Sequence, residues 1–158
     1  MSRSGIDPRT RIEQTIRRFY DGCNEANAEK MRSCLAPDAV HFFPAGAPQG
    51  RFDGAEDIIE AWKKSIAEND SRWTIDRMLI DDSLGEAVVE WTHFKPRLGV
   101  YVRGDEWYRF GKDGRITEIR AYYACPTAAE PQVHELGGFD YVQRGYATKP
   151  PEVARQLG

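Results

Sequence analysis

The chain has 158 residues, of which 41% are hydrophobic, 11% aromatic and 30% charged, and its net charge is −3. That length suits one domain with a core that needs no metal or disulfide to hold it, and the composition is that of an ordinary globular protein. The slight acidic balance gives no nucleic-acid or membrane-surface footprint, and no apolar run is long enough to span a bilayer. The opening "MSRSGIDPRTR" has no apolar stretch after its arginines, so it does not read as a secretory signal. Cys23, Cys34 and Cys125 form no C-x-x-C pair and are expected as reduced thiols of a cytoplasmic protein.

Thr10 to Leu35 carry one helical stripe: Ile12, Ile16, Phe19, Tyr20, Cys23, Asn27, Met31 and Leu35. Its spacing alternates between three and four, as a buried helix face requires. Asn24 lies near that face. A break at Asn27 predicts two helices, with Pro37 stopping the second. "AVHFFP" reads as a short strand and "AGAPQGRFDG" as a Pro/Gly-rich loop. "AEDIIEAWKKSIAE" predicts another amphipathic helix that buries Ile58, Ile59, Trp62 and Ile66, with Asp53 as its cap.

From Arg72 the pattern turns to strands: "RWTIDRMLIDD", "EAVVEWTHFK", "VYVRGDEWYRFGK" and "RITEIRAYYA". The last two join through Lys112-Asp113-Gly114 as a hairpin, where glycine is free to take positive φ. Helices first and a strand meander after predict an α+β fold, an antiparallel sheet covered on one face by helices. Residues 1–126 are expected to form that domain. Residues 127–158 form a C-terminal extension whose Phe139, Tyr141 and Tyr146 predict packing on the domain or on a partner subunit.

The stretches "FYDGCNEANAEKMRSCLAPDAVHFFP", "GAEDIIEAW" and "FGKDGRITEIRAYY" resemble the SnoaL-like branch of the nuclear-transport-factor-2-like superfamily. The "LAPDAV" step and the "F-x-x-D-G-R-I" hairpin carry the likeness. The resemblance implies a cone: a strongly bent antiparallel sheet wrapped around the N-terminal helices, with a deep pocket at the wide end. It also implies a range of reactions, mostly without cofactor, in ketosteroid isomerases, polyketide cyclases, dehydratases and a deformylating lyase. Some members only bind ligands or partners.

Strand alternation sorts the candidates. Val89, Trp91, His93 and Lys95 share one face of their strand, and Val88, Glu90, Thr92 and Phe94 the other. By similarity to the ketosteroid isomerases the first set faces the pocket. So do Glu106, Tyr108 and Phe110, then Ile119, Ala121 and Tyr123, and His41 and Phe43, while Arg120 and Tyr122 lie on the outer surface. A one-residue slip would invert each assignment. Glu106 matches the position of the acidic oxyanion-hole residue of ketosteroid isomerases. A carboxylic acid in an apolar cavity can donate a hydrogen bond or act as a general base. The family's base position is Phe43 here, and its helix tyrosine is Phe19, with Tyr20 adjacent. The histidine of the dehydratases is replaced by Trp73, and their helix aspartate falls near Asn24.

The candidate catalytic set is therefore His93, Glu106, Tyr20, Tyr108 and His41. Asn24, Phe43, Trp73, Trp91, Phe110 and Tyr123 are the expected substrate contacts. His93 is the leading acid/base because imidazole titrates near neutrality, and on adjacent strands it is expected to share one substrate with Glu106. His134 is expected in solvent. No metal is expected, since no H-x-x-H or Cys/His cluster occurs, although His41, His93 and Glu106 could converge as a facial triad. No G-x-G-x-x-G or phosphate-binding loop occurs, so no cofactor is expected either. The expected function is acid–base lyase or isomerase chemistry on a hydrophobic oxygenated aromatic or polycyclic small molecule. The alternative is a non-catalytic binding or assembly module of the same fold. The outer-face residues Val88, Thr92, Phe94, Trp107 and Tyr122 predict a homodimer or homotrimer.

Overall fold

The computed structural model describes residues 6–47, 50–123 and 136–145. Cys125, His134 and Tyr146 lie outside them. The order of elements is α1 (Pro8–Asn24), α2 (Ala28–Cys34), β1 (Leu35–Phe42), β2 (Phe52–Asp53), α3 (Ala55–Asn69), β3 (Arg72–Asp81), β4 (Glu86–Lys95), β5 (Val100–Phe110) and β6 (Ile116–Tyr122). A six-stranded sheet, in the order β2-β1-β6-β5-β4-β3, is curved but unclosed. The three helices cover its concave face, so the fold is the expected α+β cone.

α1 begins where Asp7 accepts a bond from the Thr10 amide, and Pro8 occupies a first-turn position that needs no donor. It buries Ile12, Ile16, Phe19, Tyr20 and Cys23. The break at Asn27 is real: its side chain caps α2 by accepting from the Lys30 amide. Pro37 does not end α2. The chain turns extended at Leu35, and Pro37 sits inside β1 with its side chain in solvent. The β1–β6 ladder shifts register between Leu35 and Val40, so a missing amide donor there costs no regular pairing. Asp53 does not cap α3. The N-cap is Gly54, and the Asp53 carboxylate is held instead by Arg51 at 2.5 and 2.8 Å.

The sheet is not wholly antiparallel. β1 runs parallel to β6, pairing His41 with Ile119 and Phe42 with Arg120. The remaining pairings, β1–β2, β3–β4, β4–β5 and β5–β6, are antiparallel. Alternation then sorts the faces: Val89, Trp91, Tyr108, Ile119 and Ala121 are buried within the cone. The free thiols of Cys23 and Cys34 are also buried.

On the convex face the segment 136–145 lies across β1 and β6. Leu136 bridges Pro44, and Phe139 packs edge-on against Phe42. Arg144 binds both oxygens of Glu118, at 2.9 and 2.8 Å, and Arg120 reaches the same carboxylate at 3.2 Å. Arg120, expected on an open surface, is therefore buried beneath this segment. Elsewhere on the convex face Trp107 keeps 41% of its surface exposed and Phe94 38%.

One glycine fixes the inner wall. Gly104 stands opposite Trp91 in the β4–β5 ladder. A Cβ there would lie 2.7 Å from the Tyr122 carbonyl oxygen, 2.8 Å from Tyr123 Cβ and 2.9 Å from Trp91 Cζ2. Gly104→Ala is expected to cost about 1–3 kcal/mol of stability by overpacking. Gly137→Ala, with nothing within 4 Å of its added Cβ, should leave the denaturant midpoint unchanged. Equal midpoints for the two variants would contradict this account of the wall.

Candidate functional site

The side chains at the closed end of the cone come from three elements. α1 supplies Tyr20, β1 supplies His41, and β5 supplies Glu106 and Tyr108. All four are buried, Glu106 retaining 6% exposure. A carboxylate so placed needs partners, and it has them. The Tyr108 hydroxyl donates to Glu106 Oε2 at 2.5 Å and the Tyr20 hydroxyl to the same oxygen at 3.4 Å. The two hydroxyls are 3.5 Å apart. His41 Nε2 stands 3.3 Å from the other oxygen, Oε1. That distance suits an ion pair but lacks the alignment of a hydrogen bond, and His41 Nδ1 has no hydrogen-bond partner.

Burial, and next the Glu106 charge, push both tyrosine hydroxyls well above their usual range. They therefore remain donors at any ordinary pH. The same two causes push the Cys23 thiol up, which keeps it from being a thiolate nucleophile.

A narrow pocket leads to this cluster. Its volume is about 60 Å³, and Phe43, Trp62, Trp73, Trp91, His93, Lys95, Glu106 and Tyr123 are among its walls. A smaller chamber of about 10 Å³ lies beyond Trp62 and Trp73, against Tyr20, Cys23 and Tyr108, and Glu106 borders both spaces. Outside, an open vestibule of about 630 Å³ shares Ala61, Ser65 and Lys95 with the pocket. Three indole rings, of Trp62, Trp73 and Trp91, narrow the pocket. Trp62 meets Trp73 at 5.4 Å and His41 edge-on at 5.3 Å, while Phe43 stacks on His41 at 4.2 Å.

His93 and Glu106 share the concave face but do not stand side by side. Glu106 pairs with Val89, and His93 with Val102. Four residues along a strand separate the two levels by about 13 Å. His93 instead stacks on Trp73 at 4.4 Å, and its Nε2 lies 2.8 Å from the Ser71 hydroxyl, which contacts Ser65 at 2.9 Å. Burial, with Lys95 adding to it, lowers the His93 pKa to about 3. His93 is thus a neutral group of the outer pocket, and His41 is the imidazole beside the carboxylate. Among the described residues no three metal-ligating side chains come together, so His41, His93 and Glu106 do not converge as a triad.

Two expected substrate contacts lie elsewhere. The Asn24 amide is engaged on both sides by the Trp73 main chain, at 2.9 and 2.7 Å, and ties the end of α1 to the start of β3. Phe110 lies past the β5–β6 register shift and stacks on the outer side of Tyr108 at 6.4 Å. Phe43, Trp73, Trp91 and Tyr123 do line the pocket. Trp62, read from helical spacing as core, also lines it. Its position on α3 carries no signal that separates a pocket wall from ordinary packing. The buried Trp91 indole N–H has no hydrogen-bond partner, an arrangement that costs about 1–3 kcal/mol unless something fills it.

Residues 16–119 match the SnoaL-like domain family. A protein of unknown function with a cystatin-like fold from Methylobium petroleophilum PM1 is 45% identical, over 93% of this chain and 97% of its own, with a TM-score of 0.86. Two more distant structures share the fold. A candidate ketosteroid isomerase from Kribbella flavida is 18% identical over 96% of this chain and 98% of its own, with a TM-score of 0.62. A candidate polyketide cyclase from Sinorhizobium meliloti is 20% identical over 68% and 93%, with a TM-score of 0.58. No curated protein matches the sequence.

The His93 environment has a pH consequence. Its folded pKa of about 3 lies below the ordinary 6.5, so the unfolded chain binds the extra proton first as pH falls. The stabilising contribution is complete above pH 6.5 and is lost progressively from there towards pH 3, at up to about 1.4 kcal/mol per pH unit. Ring resonances of His93 followed by NMR should not titrate between pH 5 and 8. A midpoint above 6 would reverse the assignment.

Proposed function

The chain belongs to the SnoaL-like domain family, and from that premise we propose that it is a cofactor-independent lyase or isomerase. Its substrate on this reading is a small oxygenated aromatic compound, and Glu106 moves the proton. The observation that carries the reading is the Glu106 carboxylate, which borders the pocket while Tyr20 and Tyr108 hold one of its oxygens. Oε1 is then the oxygen left to take a proton from an acidic C–H or hydroxyl. His41, 3.3 Å from it, is placed to relay the proton. Dehydration, double-bond migration, cyclisation and deformylation each require one such transfer with an oxygen stabilised nearby.

The pocket's size narrows the substrate class. About 60 Å³ corresponds to room for roughly four to six waters, whose liquid volume approaches that of a single six-membered ring. The group that reaches Glu106 is therefore one ring, with any larger part left in the vestibule. The same constriction favours the second reading, a non-catalytic binding module, because three indoles already narrow the pocket.

Homo-oligomerisation through the convex face belongs to the proposal, supported by the exposed rings of Trp107 and Phe94. Light scattering at micromolar concentration should return a multiple of 18.0 kDa, and a single species at that mass would contradict it.

Catalysis is tested by exchange. In D2O the protein should speed deuterium incorporation next to the carbonyl of small aryl ketones, followed by NMR. Glu106→Gln and Tyr108→Phe should each lower that rate, Glu106→Gln by about 10²–10⁴-fold, the scale of a positioned acid or base. Glu90→Gln, on the exposed face of the same sheet, should be silent. Binding without exchange or turnover would select the binding module.

A further inference from the structure

Lys95 ends β4 on the concave side and lines both the pocket and the vestibule. Besides Tyr123, six other charged or titratable groups border these two spaces. Asp57, Glu60, Lys64 and Glu68 come from α3, His93 from β4 and Glu106 from β5. Several have local partners: Glu60 pairs with Lys63 at 2.8 Å and Lys64 with Glu68 at 3.8 Å, and Glu106 holds the tyrosines. Lys95 has neither an ion pair nor a hydrogen bond with any described residue. Among the described residues it is the only unpaired cation on the pocket wall itself. An ammonium that merely balanced the vestibule carboxylates would stand within reach of one of them.

A second unmet donor points the same way. The Trp91 N–H is buried and without a hydrogen-bond partner, and Trp91 lines the pocket on the strand that carries Lys95. Gly104 and Tyr123 pack against this indole, so its donor is set in place before anything binds. Lys95 and the Trp91 N–H, with the Trp62 N–H that also lacks a partner on the same wall, are thus donors without an acceptor among the described residues. Towards the closed end the chemistry changes to the Glu106 acceptor and its tyrosines.

We infer that the pocket takes an aromatic carboxylate: the ring lies among the indoles, and the carboxylate pairs with Lys95 at the mouth, within the Trp91 side of the wall. This rests on the pocket being the substrate site, and it adds to that reading the charge and orientation of the substrate. The carboxylate is held away from Glu106, so the ring presents its opposite, oxygenated end to the proton-transfer group. Like-charge repulsion at the closed end excludes the reverse orientation.

The test is binding rather than turnover. Benzoate, benzamide and benzylamine share one ring and differ in charge, and their dissociation constants follow from calorimetry on the full chain. Benzoate should bind at least tenfold more tightly than benzamide, and benzylamine most weakly. Lys95→Met should erase the benzoate preference and Lys95→Arg should keep it. Lys63→Met, outside the lining, should leave it unchanged. Equal affinities for benzoate and benzamide, or a preference that survives Lys95→Met, overturn this inference while leaving the proton-transfer reading intact. A preference for benzylamine overturns it with the opposite sign. Failure of all three to bind overturns the pocket as a single-ring site as well. The wild-type comparison alone is decisive if Lys95→Met does not fold.

Discussion

One carboxylate buried at the closed end of the cone sets the terms for the elements around it. An ionisable group removed from water must be surrounded by groups that replace hydration. Here those groups are far apart in sequence. Tyr108 sits two residues from Glu106 on the same strand face, but Tyr20 comes from α1 and His41 from β1. The parallel β1–β6 pairing is what brings His41 within reach. It places His41 beside Ile119, which in turn stands opposite Tyr108 on β5. A sheet in which β1 were displaced by one residue would turn His41 to the convex face and leave Oε1 without a neighbour.

The convex face repeats the theme with opposite polarity. Glu118 and Arg120, also buried, are satisfied by each other and by Arg144 from the segment 136–145. Guanidinium groups lie over aromatic rings there, Arg144 at 4.0 Å from the Phe139 centroid and Arg120 at 5.7 Å from that of Trp107. The ends of β1 and β6 are thus anchored from both sides: Phe42 packs outward on Phe139, and Phe43 stacks inward on His41. The convex contact in this way bears on the orientation of the inner imidazole.

Much of this was legible in the sequence. Alternation in "EAVVEWTHFK" and "GDEWYRF" assigned the inward faces of β4 and β5, and Glu106, Tyr108, Trp91 and His93 all lie on the side it indicated. Alternation yields a face, however, and not a level along the strand. The ladder offset between His93 and Glu106 depends on the turn at residues 96–99, where Pro96–Leu98 forms a short 3-10 helix and Gly99 takes φ 65°. The Asn24 clamp on the Trp73 main chain is not legible in the sequence, because a polar side chain at a helix end serves a backbone clamp and a ligand with the same chemistry. Pro37 was read as a stop because nothing local announces that β1 begins before it. The parallel strand pairing is a contact between distant segments, and no window of sequence contains it.

That parallel pairing also bears on how the site comes into being. Tyr20 and His41 precede Glu106 and Tyr108 by more than sixty residues. Synthesis proceeds at about 5–20 residues per second, so the first half of the cluster waits several seconds for the second. In that interval α3 and β3 are already available to pack on β1 and α1, but β1 has no β6 beside it. Closure of the β1–β6 ladder then pays the loop entropy of the whole intervening chain, the kind of long-range step that makes folding slow. The carboxylate and its partners can therefore be complete only after β5 and β6 have been made. Until β6 is made, β1 lacks the strand neighbour that the folded sheet gives it, and an unpaired strand edge is a template for pairing with other chains.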